Sequence, residues 1–263
     1  MIKVLGVPYD LNSSFLRGPG YAPDRIRVMD SEGSANRFSE NGTEIIPGQT
    51  YTDLGDLDFP SIEPRKVYEY IKSQVKALIE TGDPLLSIGG DHSVSFPIIE
   101  AHAERYTNLH ILHFDAHGDL YENFDDNTFS HASPFARLME TGKITSLTQV
   151  GIRTLNTHQI EQAKKYGVKQ IEMRDLNDAF LRELSDPLYI SLDIDVLDPA
   201  FAPGVSHHEP GGLSTRQLID FILRLPHKPI GADLVEYNPK RDLNDMTAMV
   251  GYKLMKELIA KMI

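Results

Sequence analysis

Apolar residues recur along this chain in short uninterrupted runs that alternate with stretches of helical period. The runs at 1–7, 85–88, 109–114, 147–152, 168–171, 188–192 and 230–235 read as strands, with a further short strand within 50–57. Helical patterns fall at 23–29, 63–81, 93–105, 133–140, 157–166, 214–225 and 245–262. In the second of these, Val67, Ile71, Val75 and Leu78 share a face. The Gly-, Pro- and Ser-rich 12–23 segment reads as a loop and 31–50 as polar and irregular. Near-continuous apolar strands alternating with helices predict a three-layer α/β fold, a central parallel sheet of about eight strands covered on both faces. With no linker, repeat or low-complexity segment, one domain over 1–263 is expected. In such sheets ligands bind beyond the carboxyl ends of the strands.

Three of those strand ends carry polar clusters. The apolar run at 109–114 stops abruptly in Asp115, His117 and Asp119, spaced two apart, so that an extended backbone would place them on one side. Gly89-Gly90-Asp91-His92-Ser93 follows the strand before it, and Asp193 and Asp195 close a later one. Singly, each has a plain explanation. Asp91 or His92 can cap the following helix, Asp198 before Pro199 can start a turn, and Gly89 and Gly90 can make a tight turn. Together they do not, because carboxylates at apolar strand ends are costly unless paired or metal-bound.

The donor set narrows the metal. Carboxylates dominate, with two imidazoles, and the chain has no cysteine, so a thiolate site and a cysteine nucleophile are excluded. Four Asp and two His exceed what one catalytic ion with an open position needs. They suit two ions bridged by carboxylates and a solvent molecule, about 3.5–4 Å apart, which supply hydroxide at neutral pH. Two dications would also bring the formal charge from −12 to −8. That acidity argues against nucleic acid as a partner. No run approaches the roughly 18 apolar residues of a membrane span, and the short apolar start reads as a first strand rather than a signal peptide, so a cytoplasmic protein is expected.

Gly89-Gly90-Asp91-His92-Ser93, Asp115-Ala116-His117-Gly118-Asp119 and Ser191-Leu192-Asp193-Ile194-Asp195-Val196-Leu197-Asp198-Pro199, in this order, resemble the signatures of the ureohydrolases, the arginases, agmatinases and their relatives. The resemblance extends to 129–135, 202–213 and 235–239, nearly the whole chain. It implies the arginase-like form of the three-layer fold and a pair of manganese ions, with nickel or cobalt compatible with the same donors. His92, Asp115, Asp119 and Asp193 match the ligands of one ion, and Asp115, His117, Asp193 and Asp195 those of the other. By the same resemblance a hydroxide at the pair attacks a guanidinium carbon. Asp119 would relay its proton, Glu236 would hold the guanidinium, and His131 would contact substrate or shuttle protons. The other histidines (His102, His110, His113, His158 and His227) have no partner that the sequence identifies.

What remains open is the substrate tail. Tyr121, Asn123, Asn156 and His207, on loops beyond the metal motifs, are the candidates to read it. The motifs resemble plant-type arginases, which implies arginine. An acidic loop at Asp125 and Asp126 would instead favour the second cation of agmatine, and other guanidino acids or formiminoglutamate stay in view. A metal-binding homologue without catalysis is the rival from another class, and a homo-oligomer, trimer or hexamer, is implied by resemblance.

Overall fold

The computed structural model describes residues 1–32 and 35–263; Gly33 and Ser34 of the stretch predicted as irregular lie outside the described residues. Among the described residues eight strands form one sheet: β1 (Ile2–Val7), β2 (Tyr51–Asp56), β3 (Leu85–Gly89), β4 (Leu109–Phe114), β5 (Ile144–Ile152), β6 (Lys169–Glu172), β7 (Leu188–Asp193) and β8 (Gly231–Val235). Their order is β2-β1-β3-β8-β7-β4-β5-β6, and every pairing is parallel. Parallel strands need crossovers, and helices supply most of them: α1 (Ala22–Ser31), α2 (Pro64–Ile79), α3 (Ser95–Arg105), α4 (Pro134–Glu140), α5 (Thr157–Tyr166) and α6 (Thr215–Arg224), with α7 (Met246–Met262) following β8.

Burial explains why the strands read as unbroken apolar runs. In β4, Leu112 and Phe114 point to a core shared with α1, α6 and α7, while Leu109 and Ile111 point to a second core under α2, α3 and α4. On α2 the buried stripe is Val67, Ile71, Val75 and Ile79 rather than Leu78, which is half-buried. A step of four positions at each repeat keeps the stripe on one side of this helix. Helix α6 starts on a capping box, Ser214 accepting from the Gln217 amide while Gln217 accepts from that of Ser214.

Strands β3, β8, β7 and β4 are the middle four, and their carboxyl ends lie side by side. Gly90 is required there for close approach, not for a turn. A Cβ on it would sit 1.8 Å from the Tyr9 carbonyl oxygen, a backbone atom that cannot move aside. We predict that Gly90→Ala destabilises the fold by about 1–3 kcal/mol or more in urea denaturation.

A second constraint lies at the helix layer. Glu104 meets Lys72, Lys76 and Lys143 at 2.7–2.8 Å, and these ammonium groups hold its carboxyl well below the usual range. A depressed carboxylate pKa contributes stability above the ordinary Glu value and loses it as pH falls. Glu104→Gln is therefore expected to cost about 1 kcal/mol at pH 7, discounted for partial exposure, with the gap to wild type closing at acidic pH in paired denaturation curves.

Candidate metal centre

The donors come from loops that leave the ends of β3, β4 and β7. Asp91 caps the turn after β3, its carboxylate accepting from the Ser93 amide at 3.1 Å, and the turn aims His92 inward. Asp193 ends β7 and accepts from the Asp195 amide at 2.8 Å, which curls Asp195 back toward the sheet. The extended geometry expected for Asp115, His117 and Asp119 does not persist. Strand β4 stops at Phe114, the chain bends, and Asp119 takes a left-handed φ of 48°. It is this bend, not the alternation of a strand, that brings the three side chains together.

Two groups of donors result. His92 Nδ1 is buried, lacks a hydrogen-bond partner, and faces one oxygen each of Asp115 (3.2 Å), Asp119 (3.0 Å) and Asp193 (3.2 Å). His117 Nδ1 faces the other oxygen of Asp115 at 3.2 Å and Asp195 Oδ2 at 3.0 Å. Asp115, fully buried, therefore presents one oxygen to each group. An orphaned imidazole nitrogen ringed by three carboxylates lacks only a cation, so the residues present fit a metal. Electrostatics agree. Burial and the charges of Asp195 and Asp115 push Asp193 well above the carboxylate range. Burial would raise Asp115 too, but bonds with His113, His117 and His92 hold it low.

Beside the donors, Glu236 also has a left-handed φ, 65°, and its Oε1 accepts from the His92 amide at 2.9 Å and from His131 Nδ1 at 2.8 Å. Non-glycine residues in this region cost about 1–3 kcal/mol each and cluster at functional sites. Burial pushes the His131 pKa down, but Glu236, with Asp91 and Asp119 behind it, outweighs this and draws it up to about 9; the Ser14 amide donates to Nε2 at 3.1 Å.

A cavity of about 170 Å³ opens above this floor, lined in part by His117, Asp119, Tyr121, His131, His207 and Glu236. Ser14, Phe124, Thr154 and Gln159 line it as well, and no motif or spacing in the sequence singles out any of the four. Of the expected tail residues, Tyr121 and His207 line it, whereas Asn123 is exposed and outside the lining. Asn156 is also outside; its Oδ1 caps α5 at the Gln159 amide, 2.9 Å away, and its amide donates to the Tyr121 hydroxyl. Asp125 and Asp126 are exposed on the loop and do not line the cavity.

The remaining candidates sort themselves. Asp198 accepts from the amides of Ala200 and Gly211 at 2.9 and 2.6 Å, as a turn-forming residue does. His102, His110 and His227 bond to Ile98, Thr148 and Asp186, and His158 stacks on Tyr121. His113 differs from these in that its partner belongs to the donor groups: it bonds to Asp115 at 2.8 Å.

An eight-stranded parallel sheet with buried His and Asp donors gathered at its carboxyl edge is the architecture of a metal-dependent hydrolase. The model of the Arginase family matches residues 1–260, so the chain belongs to the arginase family, enzymes that hydrolyse C–N bonds of amidines. Arginase 1, mitochondrial, of Arabidopsis thaliana is 46% identical over 275 residues, covering 98% of this chain and 80% of the relative. Among solved structures, the arginase from Medicago truncatula superposes with a TM-score of 0.93 at 43% identity, covering 99% of this chain and 87% of that one. The agmatine ureohydrolase of Thermoplasma volcanium gives 0.89 at 30% identity, covering 99% and 89%.

The geometry predicts that Asp193→Asn loses metal and turnover together, since Asp193 faces His92 within the first group and fixes Asp195 in the second. Metal analysis by mass spectrometry, paired with an activity assay, checks it. Full metal content in the variant would contradict the assignment.

Proposed function

We propose that this chain is an arginase, one ureohydrolase domain over 1–263 that hydrolyses L-arginine to L-ornithine and urea at a pair of manganese ions. The observation that carries the reading is Asp115 with one oxygen turned to each of two imidazole–carboxylate groups. His92, Asp115, Asp119 and Asp193 would hold one ion, and Asp115, His117, Asp193 and Asp195 the other. Such a pair would supply hydroxide at neutral pH.

The chain's own residues do the rest. Glu236 is buried and its pKa is lowered: burial would raise it, but His131 and the His92 amide outweigh this, so it stands ionised to grip the guanidinium by charge-assisted hydrogen bonds. Asp119, at the cavity floor, accepts a proton and passes it toward the leaving amine. His131 lies between Glu236 and the Ser14 loop, placed to exchange protons with the cavity. Tyr121 and His207 meet the substrate tail.

Agmatine is disfavoured by one observation: the carboxylates that would attract its second cation, Asp125 and Asp126, are outside the cavity lining. The discriminating experiment is urea release from arginine, agmatine and 4-guanidinobutyrate by the manganese-loaded protein. Arginine is expected to be turned over at least tenfold faster than the others. Faster turnover of agmatine overturns the substrate assignment, and silence on all three favours formiminoglutamate or a non-catalytic role.

Glu236→Gln is expected to lose about 100-fold or more in kcat/KM, the scale of a transition-state hydrogen-bonding group, while keeping both ions. Loss of metal in that variant would move Glu236 into the ligand set. Manganese over nickel or cobalt rests on the family resemblance, and metal analysis of protein purified without added metal decides it. A homo-oligomer, trimer or hexamer, rests on the same ground and is read by light scattering. No helix among the described residues is long and apolar enough to cross a membrane. A cytoplasmic site of action is part of the reading although plant relatives are named mitochondrial, and imaging of the tagged chain tests it.

A further inference from the structure

His113, Gln149 and Asp115 are fully buried, and the proposed chemistry uses only the last. They belong to one line of hydrogen bonds that crosses β6, β5 and β4 to the metal centre. Gln170 Nε2 donates to Gln149 Oε1 at 2.8 Å. The Gln149 amide nitrogen reaches both the Gly118 carbonyl, at 2.6 Å, and His113 Nδ1, at 3.0 Å. His113 Nε2 then meets Asp115 Oδ2 at 2.8 Å.

The direction of every bond in this line is determined. A carbonyl oxygen can only accept, so Gly118 fixes which end of the Gln149 amide is nitrogen, and Gln170 donating to the other end agrees. The second amide hydrogen then points at His113 Nδ1, which must accept. The ring proton is left on Nε2, directed at the Asp115 carboxylate. This excludes a competing assignment. His92, His113 and Asp115 are close enough to share a cation, but a ring ligating through Nε2 would carry its proton on Nδ1, against the N–H of Gln149. The ring is also clamped, lying on Phe135 with centroids 3.9 Å apart.

We propose that His113 is a positioning residue for the metal centre: held by Gln149 as an Nε2–H donor, it fixes the bridging carboxylate of Asp115 so that its two oxygens face separate ions. Gln149 performs a second service through Gly118, which lies between the ligands His117 and Asp119 and whose carbonyl it holds. The inference rests on the two-ion reading above, and its test separates the two.

The experiment combines a tautomer measurement with metal affinity, both on the full chain. In ¹⁵N-histidine spectra of the wild-type protein, with the His113 signals identified from their loss in His113→Gln, the Nε2–H form is expected. An Nδ1–H form overturns the proposal whatever the variants do. Equilibrium dialysis against manganese alone then gives affinities. His113→Phe keeps a ring on Phe135 but removes the donor, and should bind manganese 10–100-fold more weakly, the usual scale for groups that orient metal ligands. His113→Gln, whose amide can donate from about the place of Nε2, should recover part of that loss, with KM at saturating manganese little changed. Gln149→Met should weaken binding in the same direction. Wild type holding two ions, with unchanged affinity in His113→Phe, refutes the positioning role. Wild type holding fewer than two refutes the metal reading itself.

Discussion

The constraint on which this structure depends is the cost of gathering carboxylates in a buried place. Asp119, Asp193 and Asp195 line one cavity floor with Glu236, and Asp115 lies buried behind them, each of the four aspartates at most 7% exposed. Bringing such charges out of water is unfavourable by several kcal/mol per group unless cations answer them. Among the described residues, the side chains paired with these carboxylates are imidazoles, His92, His113 and His117 among the Asp oxygens and His131 against Glu236. Metal binding to the folded state alone would relieve this repulsion and so stabilise the fold by linkage. The sheet sustains the arrangement because its four middle strands are rigid and their ends adjacent.

Between rigid strands and reactive groups stand short segments held by polar side chains that touch no substrate. Asp91 latches the loop after β1, accepting from the Asn12 amide at 3.0 Å and the Ser13 hydroxyl at 3.2 Å, and so brings Ser14 against His131. Among the described residues Arg153 has no acid partner within bonding distance; its guanidinium donates to the carbonyls of Asp195, Val196 and Leu197 and locks the turn that presents Asp195. His113 and Gln149 do the same for Asp115. The geometry of the candidate site is thus carried by groups one bond behind the proposed ligands, as expected when reacting groups must be positioned to within a fraction of an ångström.

The sheet was legible from sequence because a parallel strand covered on both faces has no polar alternation to obscure it. Leu109–Phe114 is such a run, and its bounds coincide with β4. The donor types and their strand-end placement were legible for a related reason, since charges stand out at the end of an apolar run. The conformation joining them was not. Asp119 converges through a left-handed bend that residue spacing does not encode, and Gly90 serves close approach to Tyr9 rather than a turn. Partners distant in sequence were equally hidden. Ser14 meets His131 across 117 residues, and Gln149 meets His113 from the neighbouring strand. Phe124 lines the cavity where Asn123 does not, because loop residues are turned by tertiary contacts rather than by local pattern.

Anomalous diffraction at the manganese edge, from crystals of the metal-loaded protein, tests the central claim most directly. The account predicts two peaks on either side of Asp115, one beside His92 and one beside His117. A single peak, or one within bonding distance of His113 Nε2, would contradict it.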